Sequence, residues 1–153
     1  MKTKLLLTLL TSLVLVSNVM AQDKPWFDDF EAAKAEAKST GKYIFLNFSG
    51  SDWCGWCIKL SDEVLTQKAF LNYAKNNLVL TIADFPRRKK QAESLKKQNE
   101  ELAKKYKVQG FPTVMILDPD GNLVYQTGYR AGGAEVYVTH VQEIIKTDKG
   151  NKS

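Results

Sequence analysis

Two cysteines, Cys54 and Cys57, sit in the run Trp53-Cys54-Gly55-Trp56-Cys57, directly behind a hydrophobic segment and ahead of a helix-like stretch. A strand that feeds a closely spaced cysteine pair at the start of a helix restricts the possible folds more than any other feature of this chain. Two intervening residues let both sulfurs reach one another across a single helical turn, and a helix amino terminus lowers the pKa of the first thiol. Cys54 is therefore the expected attacking thiolate in thiol–disulfide chemistry, with Cys57 its bridging partner. An inert structural bridge and a metal site are the other readings of the pair. A bridge closing about four residues removes only ~2 kcal/mol of unfolded-state entropy. Zinc needs about four sulfur or nitrogen ligands, whereas the chain has no further cysteine and one histidine, His140. Covalent haem requires a histidine directly after the second cysteine, and Ile58 stands there. Redox activity is the favoured reading, with no metal or other cofactor expected.

The first residues bear on the compartment. Lys2 and Lys4 precede an apolar stretch from Leu5 to Val16, and Val19-Met20-Ala21 is a small-residue exit of the kind signal peptidase cuts. Residues 1–21 are expected to be a signal peptide, cleaved after Ala21, with export to a periplasm. The stretch falls short of the ~20 apolar residues that span a bilayer, so an uncleaved anchor is the lesser alternative. In an oxidising compartment a chain that needed only stability would carry several bridges at longer spacing. One close pair suggests electron traffic instead.

Residues 22–153 make 132 residues, enough for one compact domain. Their 20 basic and 17 acidic residues leave a net charge of +3, too mild to argue for nucleic acid or a membrane surface as partner. Trp26, Phe30, Ala33 and Ala37 recur at helical spacing until Gly41. Lys42 to Ser49 is too short for a buried helix and reads as a central strand. Ile58, Leu60, Val64 and Leu65 can line a helix after the cysteines, broken before Phe70, Leu71 and Tyr73. Leu78 to Phe85 is again strand-like and Pro86 ends it. Arg87-Arg88-Lys89-Lys90 is expected to open a polar helix reaching Tyr106, as a solvated helix start rather than a docking patch. Val114 to Leu117, a turn at 118–121 and Leu123 to Tyr129 form a hairpin, and Glu135 to Lys146 a last helix with a polar tail after Thr147. Strands first separated by helices and then joined by a hairpin imply an α/β fold with a mixed central sheet covered on both faces.

Trp53-Cys54-Gly55-Trp56-Cys57 after a buried strand, with Gly110-Phe111-Pro112-Thr113 about fifty residues later and before the hairpin, resembles the thioredoxin superfamily. The resemblance runs from about Trp26 to Lys146. The Ser49-Gly50-Ser51-Asp52 approach is most similar to exported thioredoxin-like proteins, the group that includes periplasmic disulfide reductases of the DsbH kind. It implies the thioredoxin fold, a cis bond between Phe111 and Pro112, and a Phe111 backbone that pairs with an extended substrate chain. The alternative at Pro112 is a plain trans proline opening the strand. Trp53, Gly55 and Trp56 around the thiols, with Phe111 and Pro112, then make the expected substrate-binding surface; Trp53 alone could equally be a core residue, whereas Trp56 should face solvent or a partner.

Two departures from the family pattern concern how Cys57 loses its proton. Asn47 stands where the resemblance expects a buried carboxylate, and Leu80 where it expects a basic side chain, leaving a water, Asp52 or Asp62 to accept the proton. Gly55-Trp56 supplies no charge aimed at sulfur, which leans toward a reductant. The implied partners are disulfide-containing proteins as substrates and a membrane thiol electron-transfer protein as donor, with the chain itself a monomer. The rival readings are a bridged module that binds client chains like a chaperone, and a dithiol oxidase.

Overall fold

Every residue of Tyr43–Ser49 (β2) is buried in the computed structural model of the protein, which describes residues 25–153. The expected signal peptide and its cleavage site lie outside the described residues. A strand buried on both faces needs partners at both edges and apolar layers above and below. β2 has Leu78–Asp84 (β3) parallel on one side and Thr113–Leu117 (β4) antiparallel on the other. Trp26–Phe27 (β1) extends the sheet beyond β3 in parallel, and Leu123–Thr127 (β5) extends it beyond β4 in antiparallel, giving the order β1-β3-β2-β4-β5.

Alternation along the strands splits the core into two layers. Tyr43, Phe45, Leu80, Val114 and Ile116 face Lys68–Asn77 (α3) and Gly133–Asn151 (α5), where Phe45, Phe70 and Tyr137 meet edge to face at 5.2–6.4 Å between ring centroids. Ile44, Leu46, Phe48, Val79 and Met115 face Phe30–Thr40 (α1) and Glu93–Lys105 (α4). The mixed sheet with helices on both faces agrees with the expected fold class. Among the described residues no helix is long and apolar enough to cross a membrane.

Four local expectations are corrected. Trp26 is not on the first helix: Asp29 caps α1 at Phe30 by accepting the Ala32 N–H at 3.0 Å, and Trp26 pairs with Leu80 as β1. Gly41 ends α1 as expected, at a φ of 69° that favours glycine. The segment after the cysteines is a short helix, Gly55–Leu60 (α2), running into a π-turn at Ser61–Leu65; Leu60, Val64 and Leu65 are buried, but Ile58 points outward. Arg87–Lys90 does not open α4, which starts at Glu93, because the amides of residues 87–89 are bound elsewhere. The last helix continues past Thr147, where Lys152 pairs with Asp148 at 2.8 Å and Asp118 at 3.2 Å and the Tyr43 hydroxyl donates to Asp148.

Candidate active site

The site lies where β2 and β3 end, and hydrogen bonds tie those two ends together before the cysteines begin. The Phe85 N–H donates to the Ser49 carbonyl at 2.8 Å, while the Ser51 N–H and hydroxyl both donate to the Asp84 carboxylate, at 2.9 and 2.6 Å. The Gly50 carbonyl then accepts two amides, from Trp53 at 3.1 Å and Cys54 at 2.8 Å. A Cβ on Gly50 would stand 2.5–2.7 Å from the Trp53 indole. Glycine here permits the close approach, with no demand for an unusual φ.

Cys54 is the residue that caps α2. Its backbone is extended, its carbonyl accepts the Cys57 and Ile58 amides at 3.0 Å, and its Sγ accepts the Cys57 N–H at 3.3 Å. The two cysteines form a disulfide with Cα atoms 5.2 Å apart. Both cysteines are largely buried, Cys54 at 8% exposure and Cys57 at 4%. Cys57 Sγ also lies 3.5 Å from the Gly50 N–H.

The residues expected around the sulfurs fall into two groups. On one side the Trp53 indole N–H donates to the Phe85 carbonyl at 2.7 Å, its ring meets Phe111 edge to face at 6.0 Å, and Phe111 stacks on Phe85 at 5.0 Å. Trp53 is thus half-buried, neither core nor free. The Phe111–Pro112 bond is cis, and the Thr113 hydroxyl pins the loop by donating to the Gly110 carbonyl at 2.7 Å. On the other side Trp56 is 59% exposed and leans on Tyr129 at 5.2 Å. Gly55 beside it is exposed, and a Cβ there would meet nothing within 4 Å.

Several contributors carry no signal in the sequence pattern. Tyr129, expected in the last strand, lies beyond it because β5 stops at Thr127. Its hydroxyl donates to Glu63 at 2.6 Å, which holds the phenol above its ordinary pKa, and Lys59 Nζ sits 5.1–5.2 Å over both the Trp56 and Tyr129 rings. Arg87 places its guanidinium carbon 3.6 Å above Trp53. Asp52 accepts the Arg87, Arg88 and Lys89 amides at 2.9, 2.7 and 3.0 Å. These bonds, that from Arg87 foremost, hold its carboxyl below the usual range.

Behind Cys57 a cavity of about 370 Å³ is bordered by Asn47, Ser61, Asp62, Thr66 and Ile82. Asn47 is buried, and its side-chain oxygen finds no hydrogen-bond partner among the described residues. The strand register corrects one expectation: Ile82 lies opposite Asn47, whereas Leu80 pairs with Phe45 inside the core. No basic side chain faces Asn47 from that strand position. Of the two carboxylates expected to serve Cys57, Asp52 is committed to backbone amides, and Asp62 shares the cavity with Cys57.

Comparisons with known proteins agree with this geometry. The thioredoxin-like domain family matches residues 30–136. The disulfide bond reductase DsbH of Chlamydia pneumoniae is 35% identical over 128 residues, which are 84% of this chain and 76% of that protein. The thioredoxin-related protein DsbJ of the same organism is 29% identical over 130 residues, covering 82% of this chain but 37% of its own length. Among solved structures, a DsbH oxidoreductase superposes with a TM-score of 0.75 at 36% identity, over 79% of this chain and 83% of that one. A bridged pair of cysteines at a helix start, on a mixed sheet shared with these relatives, is the apparatus of a thiol–disulfide oxidoreductase, and the chain belongs to the thioredoxin-like family.

Proposed function

We propose that the protein is a periplasmic reductant of protein disulfides that works through Cys54 and Cys57. The placement of the pair carries this reading: Cys54 caps the helix, and Cys57 borders the cavity behind it, which opens to solvent past Asp62 and Thr66. In the reduced protein the Cys54 thiolate attacks one sulfur of a substrate disulfide, and the other substrate sulfur leaves as a thiolate. Cys57 then gives up its proton and attacks Cys54 Sγ. The bond from Cys54 to substrate breaks, the second substrate thiolate departs, and the Cys54–Cys57 bridge forms. Asp62, across the cavity, accepts the Cys57 proton through solvent and passes it to bulk water.

Trp53, Gly55, Trp56, Phe111 and Pro112 receive the substrate, the Phe111 main chain pairing with an extended segment. The open space over Gly55 and the exposed Trp56 ring support that role. The direction is supported by the lack of a charged side chain between the cysteines and of any side-chain hydrogen bond to either sulfur among the described residues, and the DsbH relative is itself called a disulfide bond reductase. Residues 1–21 serve as a signal peptide cut after Ala21, and residues 22–153 act as a monomeric single domain. A membrane protein with reactive cysteines of its own returns electrons to the bridge.

The reduction potential of the couple tests the direction. A value near thioredoxin's, about −270 mV, is expected; one near the strong oxidase value of about −120 mV would reverse the flow. Cys57→Ser should trap a covalent substrate complex and Cys54→Ser should abolish insulin reduction. A fully active Cys54→Ser protein would end the assignment, as would a mature amino terminus far from Gln22 for the export step.

A further inference from the structure

Arg87, Arg88, Lys89 and Lys90 form the densest run of charge in the chain, and all four are exposed. Six ion pairs occur among the described residues, and none involves these four side chains. An exposed charge run without partners is ordinarily just solvated surface. The backbone beneath this one is not ordinary, because a single carboxylate, Asp52, binds three of its consecutive amides. Such a concave row of N–H groups closed on an anion fixes a loop firmly.

Asp52 stands two residues before Cys54, so the staple joins the basic loop to the loop that delivers the attacking sulfur. Arg87 is held over the outer face of Trp53, whose ring edge meets Phe111. Cation, indole and the expected strand-pairing residue therefore form one continuous face beside the disulfide. Among the described residues no nearby acidic side chain forms an ion pair with it. Asp52 is taken up by the amides, the Asp84 carboxylate by Ser51, and Glu93 and Glu100 share a shallow cavity with Lys89, Lys90 and Lys96.

We propose that residues 87–90 are a docking rim for acidic side chains flanking the cysteine that Cys54 attacks in a partner protein. The proposal rests on the reductase reading above and adds a selectivity to it. A partner segment lying along Phe111 runs its flanking residues past Trp53 and onto Arg87, Arg88 and Lys89. Carboxylates there gain charge-assisted contacts and faster encounter. Because Asp52 sets where the cations stand, its removal weakens the selectivity even though it makes the protein more positive.

The test compares reduction of two peptide disulfides that differ only in flanking residues, Glu-Glu or Gln-Gln, with neutral hydroxyethyl disulfide as reference. At low ionic strength the reduced protein should favour the acidic peptide by ~10-fold in kcat/KM, and 0.5 M salt should remove most of that advantage. Arg88→Glu with Lys89→Glu should erase or invert the preference while leaving hydroxyethyl disulfide turnover unchanged. Asp52→Asn should reduce the preference. Equal rates on the two peptides, or a preference that survives the double charge reversal, would overturn the proposal. Binding to anionic phosphatidylglycerol vesicles without any peptide preference would overturn it in favour of a membrane surface. Failure to reduce all three disulfides would instead sink the reductase reading beneath it.

Discussion

Trp53 and Trp56 flank the same pair of sulfurs, yet the protein builds their surroundings in opposite ways. Trp53 is bonded through its indole N–H to Phe85, packed on Gly50, edged by Phe111 and capped by Arg87. Trp56 has one aromatic neighbour, Tyr129, and a lysine shared between the two rings. Both are aromatic, and they sit three residues apart. The difference arises because Trp53 belongs to a loop crossing the end of β3, while Trp56 lies on the solvent side of the first turn of α2. One indole is fastened to its surroundings and the other stands open to solvent.

Truncating each ring gives the sharpest contrast. Trp53→Ala removes the donor to the Phe85 carbonyl and opens a gap over Gly50, and should cost about 3 kcal/mol. Trp56→Ala should change stability by less than ~0.5 kcal/mol but slow reduction of protein substrates. Urea midpoints and insulin turnover measured on both variants check this, and equal losses of stability would erase the distinction. A gentler probe of the Trp53 side is Gly50→Ala. Its methyl group would push into the indole and should destabilise by ~2 kcal/mol through overpacking; a thermal midpoint unchanged from the parent would show that the ring can yield.

Asp62→Asn probes the Cys57 side of the pair. Loss of the proton acceptor should slow resolution of a Cys54 mixed disulfide by ~10-fold near pH 6.5, with rates converging above the ordinary thiol pKa of about 8.5. Superimposable pH profiles would remove Asp62 from the mechanism. The smallest expected effect belongs to Asp52. Its carboxyl is held below the usual range in the folded protein, so the stability it contributes is complete above the unfolded value of about 3.9 and is lost as pH falls through the lower folded value. The Arg87, Arg88 and Lys89 amide signals followed by NMR as pH is lowered should move together, below the ordinary carboxylate range; independent drift would separate the loop from the active-site approach.

The legible parts of the fold were those specified by short-range pattern. The near-continuous apolar run of β2, the Gly41 stop and the turn at Asp118–Gly121 each depend on close neighbours in the chain. The misread parts depend on residues far apart in the chain. The helical spacing of Trp26 with Phe30 is real, but the pairing of Trp26 with Leu80 overrules it. The basic run looks like a helix start because only Asp52, 35 positions before Arg87, shows that its amides are already bound. Tyr129 reads as strand until β5 ends early and frees it to meet Trp56.

At the site, the cysteine pair and its chemistry could be read from the sequence alone, because a two-residue spacing at a helix start is a local geometry whatever surrounds it. The replacement of a carboxylate by Asn47 was equally plain. Which residue faces Asn47, which carboxylate shares a cavity with Cys57 and where the cations stand relative to Cys54 were decided by the tertiary structure. Those facts follow from the register of β2 against β3 and from hydrogen bonds between loops at different strand ends. Periodicity along a chain carries no information about such pairings, since they are chosen only when distant segments pack together.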